Sequence, residues 1–421
     1  MTKTILIFAS LLFVLFIRFC YFYSSQPKPV NGQKLSFEAE ILSQPQIFGS
    51  QQSFSANYKN QKVKVVANRF PEINYGDFVA ISGDISSRDG RVLMYFPKME
   101  RLDRTSGFLV SSLKSINFLR QKIISIFSVT LPSPSSSLLL GIIFGIKEQM
   151  PKNFTDNLRT TGVFHVIAAS GMNVTLIGGF ISQFLAFFLH RRLAIGLSIL
   201  GIVFYAILAG LEPSIIRASI MGIIVFSAQI IGRQSLASNS LFLTGAGMLF
   251  IDPSLFSDVG FQLSFTATAG ILYIKPLMRG KGKGFASEIL TTIAAQIGTL
   301  PILLANFGIY SIFSILVNGL VLWTIPILMV IGGAGAILSL IFLPLGQILI
   351  GLCYPLLFYF EAVVNIFGRI GGVITIERFP WQFTAGYYCL LASILALFKR
   401  RTAISFDKVK PSVLRRSSPK D

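Results

Sequence analysis

Apolar runs of about 18 residues or more recur through the second half of this chain, each long enough to cross a hydrocarbon layer about 30 Å thick. Inside that layer no water satisfies the backbone, so such runs must be helical or surrounded by protein. With 52% of its 421 residues hydrophobic, the chain has the fold class of a polytopic α-helical membrane protein. Residues 1–24 open it as a signal anchor: Lys3 precedes the run Ile5–Tyr23, and no A-x-A-like site follows. Arg18 interrupts that run and leaves a cleaved signal peptide as the alternative reading.

Residues 32–104 break the pattern. KLSFEAEILS alternates, with Leu35, Phe37, Ala39 and Ile41 on one face; QSFSANY, QKVKVVA, DFVAISGDI and RVLMYFP follow, separated by turn residues. Five short strands at this spacing predict a small closed barrel or sandwich. Its nine basic and eight acidic residues between Lys34 and Asp103 nearly balance, so charge alone does not make it a nucleic-acid surface; docking is an equal reading. Residues 105–130 follow as an amphipathic helix for the membrane interface. There Leu109, Leu113, Ile116, Leu119 and Ile123 recur three to four apart, and Lys114, Arg120 and Lys122 take other faces. LLLGIIFGI, Leu138–Ile146, is too short to span and should be re-entrant or buried.

The formal net charge is +19. Sixteen of the basic residues sit at Lys3, Arg191-Arg192, Arg233, Lys275–Lys283 and the tail 399–421. The positive-inside rule alone places them there, so the charge reports topology before it reports a polyanionic partner. Passing the anchor inward to outward puts the β-domain outside and every basic loop inside. Crossings are expected at 162–189, 193–209, 213–231, 236–251, 255–274, 286–304, 311–330, 332–342 and 385–398. For the basic tail to end inside, one further segment must not cross. Ile348–Ile370, burdened by Glu361, Asn365 and Arg369, is expected to be an outer interfacial helix.

Chemistry is sparse. Cys20, Cys353 and Cys389 have no metal-ligand spacing, and two histidines cannot build a histidine-rich metal centre. No Walker A, H-E-x-x-H or G-x-S-x-G pattern occurs, so neither an NTP motor nor a hydrolase is indicated, and no cofactor or metal is implied. Polar residues at membrane depth are functional candidates by default. They are His165, Ser170, Gly171 and Asn173 in HVIAASGMNV; Glu212 and Arg217 in GLEPSIIRASIMG; Asp258, Gln262 and Ser264 in DVGFQLSF; and Gln296, Asn306 and Asn318. Arg217 can snorkel outward or pair with Asp258 or Glu212. Ser170-Gly171, Gly178-Gly179 and the Gly332–Gly335 cluster are places where a helix would break or pack closely.

Four blocks in order, LLLGIIFGIKEQMPKNFTDNLRTTGVFHVIAASGMNVTLI, GLEPSIIRASIMG, DPSLFSDVGFQLSFTATAGILYI and AAQIGTLPILLANFGIYSIFSILVN, resemble the ComEC competence-protein family of DNA-uptake channels. The likeness spans residues 135–398, and the β-domain is similar to the family's oligonucleotide-binding-like (OB-like) domain. The resemblance implies a cytoplasmic-membrane channel passing single-stranded DNA during natural transformation. It also implies partners such as a DNA receptor, a cytoplasmic helicase and a separate nuclease, or further copies of the chain. Many members carry a C-terminal metallo-β-lactamase-like nuclease domain. The stretch after Lys399 and the two histidines, His165 and His190, offer no counterpart, so the resemblance is to a version without it. Asn173 stands where the family more usually has histidine, which removes proton or metal chemistry there and leaves hydrogen bonding. A small-molecule or lipid-intermediate permease and a non-transporting envelope scaffold are the alternative functions.

Overall fold

The computed structural model describes residues 2–25, 32–41, 45–48, 50–58, 61–73, 77–88, 91–102, 108–146, 150–167, 171–211, 213–232, 237–278, 285–376 and 379–414. Helix α1 (Thr2–Ser25) leads into the β-domain: β1 (Lys34–Glu40), β2 (Gln46–Phe48), β3 (Gln51–Tyr58), β4 (Gln61–Asn68), β5 (Phe78–Arg88), β6 (Arg91–Tyr95) and β7 (Lys98–Leu102). The five expected strands are β1, β3, β4, β5 and β6; β2 and β7 are additional. Hydrogen bonding runs in the order β1-β5-β6-β4-β3-β2, with β7 on β5. All pairs are antiparallel except β4 with β6.

This path does not close on itself, so the domain is a half-barrel instead of a fully closed barrel. Its ends curl together where Phe37 of β1 meets Tyr58 of β3, ring centroids 5.2 Å apart. Alternation sorts the faces: Val79, Ile81 and Ile85 of β5 are buried while Ser82 and Asp84 are exposed. Leu35, Ala39 and Ile41 join them in one core with Phe54, Val65 and Met94.

The remaining helices are α2 (Phe108–Thr130), α3 (Ser135–Phe144), α4 (Lys152–Thr160), α5 (Gly171–Leu185), α6 (Arg191–Leu208), α7 (Pro213–Ile231), α8 (Ala237–Ile251), α9 (Val259–Tyr273) and α10 (Phe285–Phe307). A short strand β8 (Ile309–Ser311), helices α11 (Ser314–Val321), α12 (Thr324–Ile341), α13 (Leu343–Leu352) and α14 (Tyr354–Ile370), strand β9 (Val373–Thr375) and α15 (Trp381–Leu414) complete the fold. Among the described residues six helical stretches are long and apolar enough to cross a membrane: Phe164–Leu185, Arg191–Leu208, Pro213–Ile231, Ala286–Phe307, Thr324–Ile341 and Leu343–Ile370. The chain is a polytopic helical membrane protein with a small β-domain ahead of its bundle.

Two expectations need correcting. The 311–342 stretch is not two crossings parted at Gly332. Helix α12 runs through the glycines unbroken, because they serve close packing: a side chain at Gly332 would strike Ile143, and one at Gly335 would strike Ile350. Segment 348–370 is not simply laid on the outside of the bundle: one face packs into it, while Phe358, Ile366 and Ile370 stay exposed on the other. Leu357, Phe360 and Val364 are fully buried in the main core with Phe127, Leu139 and Ile143. Two of the three polar residues expected to burden it have partners, Glu361 accepting from Ser135 Oγ (2.5 Å) and Asn365 from Asn157 Nδ2 (2.9 Å). Helix α2 likewise does more than rest on an interface. Its second half buries Ile123, Ile124, Ile126 and Phe127, along with Arg120.

Candidate functional site

Helix α3 occupies the centre of the bundle, and every one of its residues is buried. Ten residues of helix leave four carbonyls without intrahelical donors at the C-terminus, a heavy cost away from water. Gly145, at φ 71°, turns the chain left-handed so that its own N–H and that of Ile146 reach back to Gly141 and Leu140. The carbonyls of Ile142 and Ile143 are met from elsewhere. Asn173 of α5, 2% exposed, donates Nδ2–H to Ile142 at 2.7 Å, and Tyr205 of α6 donates its hydroxyl to Ile143 at 2.8 Å. Asn173 therefore satisfies a backbone carbonyl left open at the end of a neighbouring helix. Tyr205 was not singled out from sequence, and neither was the Ser135–Glu361 contact at the other end of α3.

Arg217 is the centre of a second cluster. It is 6% exposed on α7. Its Nε donates to Ser264 Oγ (2.8 Å) and its Nη1 to Thr268 Oγ1 (2.9 Å), both on α9, with Met221 Sδ at 3.5 Å. Its Nη2 lies 3.5 Å from where a Gly171 side chain would begin, so the guanidinium faces the first turn of α5. Of the alternatives left open by the sequence, a pairing with Asp258 is not formed. That carboxylate caps α9 by accepting from Phe261 N–H at 2.8 Å. An aspartate directly ahead of an apolar helical run carries this signal in the sequence. Glu212 and Ser170 lie outside the described residues.

The other candidates disperse. His165 is exposed in a short 3-10 turn, and its Nδ1–H donates to Gly162 carbonyl at 3.2 Å. Gln262 donates to the Phe256 carbonyl (2.7 Å), tying α9 to the turn before it. Gln296 of α10 donates to Ser314 Oγ and accepts from Tyr310 (3.1 Å), joining α10 to the β8–α11 connection. Asn306 folds back on its own helix, Nδ2 to Ile302 carbonyl at 2.9 Å. Asn318 is buried, and its Oδ1 has no hydrogen-bond partner among the described residues. Of the residues named from sequence, the structure thus brings Gly171, Arg217 and Ser264 together with Thr268, and leaves Gln296 and Asn306 elsewhere.

Comparison with known proteins agrees with the helical part of this description. The Competence family, whose members are described as competence proteins, matches residues 142–401. ComE operon protein 3 of Bacillus subtilis is 25% identical over 201 residues, covering 48% of this chain and 26% of that protein. An uncharacterized protein of Aquifex aeolicus is 29% identical over 222 residues, covering 52% of each. The protein YcaI of Escherichia coli is 26% identical over 179 residues, covering 40% of this chain and 24% of its own. The chain thus spans from about a quarter to about half the length of these curated relatives. The family match takes in both interior clusters, from Ile142 of α3 through Asn173, Arg217 and Thr268 to α15. On that match, the chain belongs to the competence protein family.

Proposed function

We propose that this chain forms a pathway for single-stranded DNA across the cytoplasmic membrane, with the β-domain on the outer side and both ends inside. The observation that carries the reading is interrupted helix within the apolar bundle of a competence-family chain. Helix α3 ends deep in the core with carbonyls served by Asn173 and Tyr205, and α11 is a half-length helix ahead of α12. Irregular backbone at membrane depth belongs where protein surrounds it or a hydrated path runs beside it, as in transporters. A scaffold has no need of it. The ends of α5, α7 and α9, gathered around Arg217, supply the polar lining. Receptor, helicase and nuclease would be separate proteins.

The test is uptake of labelled DNA in a strain lacking the gene. Surface binding should persist while passage into a nuclease-protected state is lost. Protected uptake at the parental level in that strain would sink the proposal, and loss of a small-molecule flux alone would favour a permease.

A further inference from the structure

Helix α10 ends at a cleft of about 690 Å³, lined by residues 304–309 and by Thr375, Ile376, Phe379 and Pro380. Gly308, at φ 63°, makes the turn out of the helix. A side chain there would strike the Ile376 carbonyl, so the chain after β9 is held close to the helix end. The last turn of a helix leaves its carbonyls without intrahelical donors. Gly308 N–H serves that of Leu304 at 3.0 Å, while those of Ala305, Asn306 and Phe307 meet no donor among the described residues. Asn306 spends its Nδ2–H on the Ile302 carbonyl and keeps Oδ1 without a donor among the described residues. None of the lining side chains carries a charge. The cleft therefore gathers acceptors at the negative end of a helix, beside the rings of Phe307 and Phe379.

Its depth in the membrane follows from the span that ends there. Ala286–Phe307 is about 33 Å long, close to the hydrocarbon thickness of about 30 Å, so the cleft lies at the level of the lipid headgroups. We infer that the cleft binds the primary ammonium of a lipid headgroup of the phosphatidylethanolamine type. Charge makes the selection: open carbonyls and the helix dipole attract a cation, and no basic side chain lines the cleft to hold a phosphate of a strand or of an anionic lipid. A primary ammonium brings three N–H donors to these acceptors, whereas a quaternary choline brings none. The aromatic faces add a cation–π attraction, and Phe379 is held in place against Phe383, centroids 6.1 Å apart. Phe307 and Ile309, 58% and 42% exposed, leave apolar surface beside the cleft for acyl chains. The site is separate from the Arg217 cluster and does not depend on the channel reading.

The test uses the purified full chain in detergent. It is offered equal amounts of phosphatidylethanolamine, phosphatidylcholine and phosphatidylglycerol with identical acyl chains, and retained lipid is counted by native mass spectrometry. The wild type should retain phosphatidylethanolamine about tenfold over each of the others, the ratio expected from one hydrogen bond to a charged donor. T375K and I309K each set a rival ammonium at the cleft from an exposed position and should abolish the preference. Phe342→Lys, at the α12–α13 turn, should leave it intact. Excess ethanolamine or oligodeoxynucleotide should not displace the lipid. Equal retention of the three lipids by the wild type would overturn the site, as would a preference that both folded lysine variants keep. Displacement by ethanolamine would assign the cleft to a soluble amine, and displacement by the oligonucleotide to the strand; either result overturns the lipid assignment.

Discussion

Asn173 shows how a polar residue in a membrane helix can be structural without being incidental. Its amide reaches a carbonyl 31 residues back in the chain, so nothing local in HVIAASGMNV discloses the partner. Composition marks Asn173 as costly, and only the tertiary fold says what the cost is for. Asn173→Ala should leave the Ile142 carbonyl buried without a donor, lowering stability by about 1–3 kcal/mol. Asn173→Asp, which sets a carboxylate against that carbonyl, should be worse than alanine. Thermal unfolding of the purified variants in detergent decides the matter; equal midpoints for all three would mean that α3 is capped without it. Arg217 illustrates the complementary case. The sequence left it between snorkelling outward and pairing with Asp258 or Glu212; it is buried, and Asp258 does not meet it because a helix N-cap claims that carboxylate. His165, which looks like chemistry in the sequence, is exposed, and among the described residues it bonds to the Gly162 carbonyl.

Helix α10 contains Pro301, which has no N–H to offer the carbonyl of Ile297 four residues earlier. That carbonyl accepts instead from the hydroxyl of Tyr387, and the neighbouring Gly298 carbonyl from Tyr388, each at 2.8 Å. Helix α15 thus completes the hydrogen bonding of α10, while on its other side α10 presses against α9. A side chain at Gly270 would collide with the Ala294 carbonyl, and one at Gly298 with that of Thr266. A double-mutant cycle separates the proline's effect from packing. Tyr387→Phe should destabilise the wild type by about 0.6–1.7 kcal/mol, the range for interhelical hydrogen bonds in membranes. In Pro301→Ala, where residue 301 regains its N–H, the same change should cost nearly nothing; additive losses would refute the compensation. Sequence patterning disclosed five of the seven strands of the β-domain and the positions of α5 to α9, because alternation and apolar length report directly on burial. It misplaced 311–342, since a Gly-Gly pair reads equally as a break and as a close contact. Which one applies depends on Leu139, Ile143 and Ile350, residues distant in sequence.

Correcting that stretch also repairs the count of passes through the bundle. Arg18 Nε donates to the Phe250 carbonyl (3.1 Å), and Phe19 meets Phe256 edge-on at 5.8 Å, so α1 ends beside the α8–α9 turn. Arg217 draws the starts of α5, α7 and α9 to one side. Strand β8, after α10, pairs with β9, after α14, and Phe313 packs on Phe367 at 5.5 Å. Helices α12 and α13 double back at Phe342, where Ser339 closes on Gly346. On the proposed topology α11–α12 count as one pass and α13–α14 as another, and with α1, α8, α9 and α15 also crossing, α15 ends on the side on which α1 begins. No segment need be dropped. On that topology the connections around Arg191-Arg192, Arg233 and Lys275–Lys283 would be cytoplasmic, the placement that the positive-inside rule favours. Single cysteines test this in a background with Cys20, Cys353 and Cys389 replaced. At Ser254, Ile312 and Ile374 they should react with an impermeant maleimide in intact cells, and at His190 and Leu343 only after permeabilisation. Opposite labelling of positions 312 and 374 would break the β8–β9 arrangement. A labelled Leu343 in intact cells would show that α12 and α13 do not turn at the inner face, and the passes would have to be counted again.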